Sequence, residues 1–187
     1  MGLTLIKAAT ASGSPAVISF VDGTGGVVFD NTYNEYQFQF VNIHLATLNA
    51  ELQFQVNATD DAGGDYDASP MITTIFGAYH NEDDGSADID YFSGHDIANA
   101  ATFQNLTYNQ EVNADSSMSG SMTLYDPSST TYVKHFTART NGMGGWGASL
   151  DNFVAGYIND TTAIDEIRFK SSDGNIDAGT IYMYGIS

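Results

Sequence analysis

Apolar and polar side chains alternate with a period of two along almost the whole chain, and this pattern restricts what it can fold into. Successive side chains of an extended strand point to opposite faces, so strict alternation marks a strand with one buried face. The clearest case is Asn34-Glu-Tyr-Gln-Phe-Gln-Phe40, which sets Tyr36, Phe38 and Phe40 on one face and Gln37 and Gln39 on the other. Residues 51–56 repeat it, with Leu52, Phe54 and Val56 turned inward. Strands are also expected over 4–9, 16–21, 72–80, 117–125, 131–139 and 152–158, and the two closing segments bring the total to about ten. One short helix is expected around 95–101, where Asp96, Ile97 and three alanines sit together.

The spacers carry turn chemistry. Asp22-Gly-Thr-Gly-Gly26, Asp60-Asp-Ala-Gly-Gly64, Asp84-Gly85, Asp126-Pro-Ser-Ser129, Asn141-Gly142 and Asp173-Gly174 favour tight reversals or left-handed residues. Asn141-Gly142 opens a glycine-rich loop that reaches Gly147 and holds Trp146. Many short strands at near-regular spacing predict an all-β chain, an antiparallel β-sandwich of jelly-roll type. No repeat or linker divides it, so one domain over 1–187 is expected.

The closing stretch, 163–186, reads as one two-stranded unit, with strands over 164–170 and 179–186 joined by a polar connection. Ile167 and Phe169 fit one phase. In the last strand Ile181 with Met183, or Tyr182 with Tyr184, fit another, so both of its faces are apolar. That suits a central strand, or one covered by a neighbouring subunit.

Charge narrows the partners. Five basic residues stand against 23 acidic ones, a net charge of −18. Such a field repels phosphate backbones and anionic membranes, which argues against nucleic acid and membrane partners. It favours solubility, and it attracts cations or basic surfaces. No apolar run is long enough to cross a bilayer, and the alternating N-terminus reads as a strand rather than a signal peptide. Ile6 stands where a myristoylation motif needs Ser or Thr. With no cysteine, disulfides and thiolate metal sites are excluded.

Two loops concentrate carboxylates: Asp60, Asp61, Asp65 and Asp67 in one, and Glu82, Asp83, Asp84, Asp88 and Asp90 in the other. Calcium takes several hard oxygen ligands, so Asp60, Asp61, Asp65, Asp67, Asp83 and Asp84 are candidate ligands, set against plain solvated surface acid. The second loop lacks the alternating aspartates and the twelfth-position glutamate of an EF-hand. His44, His80, His95 and His135 form no close pair, so zinc is not expected. No nucleophile elbow and no phosphate-binding loop with its lysine is present, so the chain is not expected to be an enzyme. The aromatic residues, 11 Tyr, 11 Phe and one Trp, mostly alternate with polar ones, as core residues do. Trp146 does not, and with Asn141 it is the candidate ligand contact; a lid over the core is the competing reading for the tryptophan. Three Asn-x-Thr triplets at Asn57, Asn105 and Asn159 read as chance matches.

Several motifs resemble a known family. Leu3-Thr-Leu-Ile6, Thr10-Ala-Ser-Gly13 and Ser19-Phe20 resemble its opening. Phe40-Val-Asn-Ile43, Asp126-Pro-Ser-Ser-Thr-Thr131 with Lys134, Gly156-Tyr-Ile-Asn159 and Ala163-Ile-Asp-Glu-Ile-Arg-Phe169 continue the likeness. The most specific stretch is Ser172-Asp-Gly-Asn-Ile-Asp-Ala-Gly-Thr-Ile-Tyr-Met-Tyr-Gly-Ile186. Together they resemble small β-rich virion structural proteins of tailed bacteriophages of marine bacteria, the cyanophage and pelagiphage type. The resemblance implies a phage particle assembled in the host cytoplasm, and transfers fold and virion context rather than activity. The expected function is capsid decoration on the outer shell, with the major capsid protein or other virion proteins as partners and a dimer or trimer as the unit. The alternative is a tail or head appendage with a lectin-like sandwich that binds host glycans through Trp146 and the 141–147 loop.

Overall fold

The computed structural model describes residues 2–61, 66 and 69–187. Its strands are β1 (Leu3–Thr10), β2 (Val17–Val21), β3 (Glu35–Leu45), β4 (Leu52–Ala58), β5 (Met71–Asn81), β6 (Ala87–Tyr91) and β7 (Ala98–Ala100). They continue with β8 (Gln104–Asn105), β9 (Met118–Tyr125), β10 (Lys134–Gly144), β11 (Ala148–Ile158), β12 (Ile164–Ser171) and β13 (Ile176–Ile186). The described residues contain no helix. The segment expected to be helical instead gives β7 to the edge of β5, where Thr73 N donates to Ile97 O at 3.0 Å and Ile97 N donates to Thr73 Oγ1 at 2.7 Å. A backbone that pairs sideways cannot also close helical hydrogen bonds.

Two antiparallel sheets pack face to face as a β-sandwich. The large one runs β1-β13-β3-β9-β10-β11-β5-β6, with β7 also on β5, and the small one runs β2-β12-β4-β8. The pairing is nested: β1 with β13, β2 with β12, β3 with β9, β4 with β8. Two insertions, β5–β7 and β10–β11, extend the large sheet beyond β9. Consequently the closing strands do not form a paired unit. β12 lies in the small sheet and β13 in the large one, and both send side chains into the core.

Phe169 of β12 is at the centre of that core, with ring centroids 5.4 Å from Phe38 and 5.4 Å from Phe40 of β3, and 6.5 Å from Phe54 of β4. Ile164, Ile167 and Phe169 are all buried despite their odd spacing, because a bulge between Ile164 and Glu166 resets the alternation. In β13, Ile181 and Met183 point inward, while Tyr182 and Tyr184 stack on the outer face with centroids 6.4 Å apart. Both faces of that strand are thus apolar, and it sits between β1 and β3.

Segment 92–110, which includes the short strands β7 and β8, packs against the extension of the large sheet. Thr140 Oγ1 donates to Leu106 O at 2.6 Å, Gln110 bridges Gly144, and Phe92 packs under β5. Phe92 fits because residue 77 is glycine: a Cβ there would stand 2.7 Å from its ring.

Candidate functional site

The extension and segment 92–110 create an aromatic cleft of about 490 Å³. β5 supplies Tyr79, the turn between β10 and β11 supplies Trp146, and segment 92–110 supplies Phe92, His95 and Tyr108. Tyr108 stacks on Phe92 with centroids 4.4 Å apart and planes 13° from parallel. Trp146 meets Tyr79 edge-to-face at 5.9 Å and Tyr108 at 6.0 Å. His95 stands edge-on to Tyr108 at 4.9 Å. The Asn105 amide nitrogen lies 2.5 Å from His95 Nδ1, and Glu51 Oε1 lies 4.0 Å from the same ring nitrogen.

The loop expected over 141–147 is mostly strand. β10 continues to Gly144, since Asn141 is paired with Asp151 of β11 and Ser119 of β9. Only 145–147 turn, and Gly147 N closes the turn onto Gly144 O at 2.9 Å. Trp146 lies against the Gly144 backbone and keeps 39% of its surface exposed. It is therefore both partly a lid and partly open to solvent. Asn141 is not beside it. The Asn141 Nδ2 group donates to Leu150 O at 3.1 Å, and its side chain borders separate depressions with His80, Ser149 and Arg139.

The acidic candidates are dispersed. Asp83 Oδ1 accepts from Gly85 N at 3.2 Å and from the Asn81 amide, which ties the β5–β6 turn. Asp84 Oδ1 lies 2.8 Å from His80 Nε2 on the exposed surface. Asp60 accepts from Thr162 Oγ1 at 3.0 Å, and Asp61 N donates to Ala58 O at 2.9 Å. Asp65 and Asp67 lie outside the described residues. Among the described residues no three His, Cys, Asp or Glu side chains gather into a group able to hold a metal ion.

Each of the five Lys and Arg side chains has a partner within the protein. Lys7 sits 5.7 Å from the Phe20 ring centre, Lys170 4.3 Å from that of Phe103, and Arg168 4.1 Å from that of Tyr66. Arg139 binds Asp151 through two hydrogen bonds of 3.0 and 2.7 Å. Lys134 is fully buried and donates to the backbone oxygens of Asp160, at 3.2 Å, and Thr162; burial pulls its pKa down. None of the five lines the aromatic cleft.

Tyr79 was legible only as a strand residue, and Phe92, His95 and Tyr108 were missed as site residues. Their one sequence signal is that Phe92 and Tyr108, like Trp146, fall outside any alternating run.

No family model matches the chain, and no curated protein matches it. A solved structure, described as that of infectious bursal disease virus Gx strain, aligns over 98% of this chain at 13% identity and a TM-score of 0.19. The chain spans 39% of the length of that structure. A likeness at this level carries no argument about fold or function.

Proposed function

We propose that the chain is a structural protein of a bacteriophage virion, a decoration protein that binds the outer capsid shell in many copies. The sequence resemblance to marine phage virion proteins supports this context. The observation that carries the reading is the charge layout: 23 acidic residues stand against five cations that each have a partner within the protein, so the exterior is dominated by carboxylates that complement basic patches on a shell. The same layout is unsuited to packaged DNA. Both edges of the large sheet expose apolar side chains, Leu3 and Leu5 on β1 and Ile89 and Tyr91 on β6, which suits docking to a copy of itself or to a shell protein. Quantitative mass spectrometry of purified particles tests the reading. Hundreds of copies per particle are expected; a dozen copies, or labelling confined to the tail vertex, would overturn it.

A second reading, recognition of host-surface glycans from an appendage, is favoured by a separate observation, the aromatic cleft at Trp146. The two are compatible, because a shell-bound protein can present a cleft outward.

A further inference from the structure

We infer that the cleft beside Trp146 takes a neutral saccharide and turns acidic saccharides away. The inference rests on the glycan-binding reading and adds the class of ligand and the groups that select it.

Three aromatic side chains from three separate parts of the chain, Tyr79, Tyr108 and Trp146, line one opening of about 490 Å³, and Phe92 backs Tyr108 from below. That volume is within the range of small-ligand sites, which combine apolar walls with a few polar groups that fix orientation. A pyranose ring has an apolar C–H face that packs on an aromatic face, and a rim of hydroxyls that both donate and accept. The cleft offers matching groups. The Asp90 carboxylate, the Ser93 hydroxyl and the Asn109 amide line it, and among the described residues none of these side chains makes a hydrogen bond within the protein. A carboxylate accepts from sugar hydroxyls, and an amide pairs with both hydroxyl hydrogens and oxygens.

Charge sets the class. Asp90 is the charged side chain on the cleft wall, and Asp88 precedes it by two positions on the same exposed edge strand. All five cations are held elsewhere, so no ammonium or guanidinium is available to pair with a carboxylate, sulfate or phosphate on a sugar. An acidic saccharide entering here would meet like charge with no Lys or Arg on the wall to offset it.

Trp146 is the single tryptophan, so its fluorescence reports the cleft without labelling. The intact chain is screened on a glycan array and then titrated with glucose and N-acetylglucosamine oligomers, with sialyllactose and with chondroitin sulfate oligosaccharides. Saturable binding of a neutral oligomer is expected. Trp146→Ala and Tyr108→Ala, followed by calorimetry, should each weaken it roughly tenfold. Asp90→Asn, at an exposed position without a partner, should weaken it to a similar degree, roughly tenfold, with unchanged thermal unfolding. If only acidic saccharides bind, the charge argument fails while glycan recognition stands. If neither class binds at millimolar concentration, the glycan reading and this inference fail together. Neutral binding unaffected by all three substitutions would place the site elsewhere and overturn the inference.

Discussion

His44 shows how one residue ties distant parts of the chain together. It extends from β3 towards β13, where Nδ1 lies 2.6 Å from Asp177 Oδ1, and Nε2 lies 3.1 Å from Asn113 O. Both acceptors are oxygen, so both ring nitrogens donate, which only the imidazolium can do. Burial opposes its charge, but hydrogen bonds to Asp177 and to the Asn113 and Val112 backbones outweigh burial and hold the pKa above the usual 6.5. A pKa raised in the folded state stabilises the fold fully below the unfolded value and is lost as pH rises through the folded value. Thermal stability should therefore fall as pH rises from the ordinary histidine value, about 6.5, through the raised folded value. Asp177→Asn should flatten that slope and bring the His44 titration midpoint down, read by NMR. An unchanged midpoint would show that the carboxylate is not what holds the proton.

At the scale of elements, strand ends and bulges matter more than strand centres. The β3–β13 ladder shifts register on both sides of Ala178, and Asn42 and Gly179 face each other there with φ of 52° and 104°. A Cβ at residue 179 would stand 2.5 Å from Asn42 O. Both conformation and space exclude a side chain, so Gly179→Ala should destabilise the fold by about 2–4 kcal/mol, measured by urea unfolding. A cost under about 0.5 kcal/mol would mean that the bulge relaxes freely. The same bulge lets β13 bend as it passes from the connection after β12 into the large sheet. The β5–β6 hairpin illustrates a different device: exposed Ile89 and Tyr91 alternate with Asp88 and Asp90, and charge on an edge strand discourages uncontrolled pairing.

For the whole molecule the governing quantity is a charge of −18 with every cation already committed. Exposed carboxylates repel one another in the compact state more than in the unfolded chain. Raising sodium chloride from about 0.01 M to about 0.15 M shortens the screening length from roughly 30 Å to roughly 8 Å. The melting temperature should rise by roughly 2–4 °C, the shift that about 1 kcal/mol gives a domain of this size. A fall over that interval would show that internal ion pairs, such as Arg139 with Asp151, outweigh the repulsion.

The class of the fold and the inward faces of β3 and β4 were legible in the sequence. Tyr36, Phe38 and Phe40 are buried as their alternation requires, and Phe169 is inward in the phase it shares with Ile167. Local pleating sets which way a side chain points, and neighbours in sequence determine pleating. The strand β6 alternates but reads as an acidic loop because its polar positions are Asp88 and Asp90, and β7 and β8, of three and two residues, are too short to show a period. The tertiary structure alone decided which strands pair. It sent β12 and β13, joined by a few residues, into opposite sheets, and it extended one sheet with two insertions. That choice depends on which surfaces bury each other across the core, a long-range quantity with no period. The aromatic cleft has the same origin. Tyr79, Phe92, Tyr108 and Trp146 are apart in sequence and converge only because segment 92–110 packs against the extension of the large sheet.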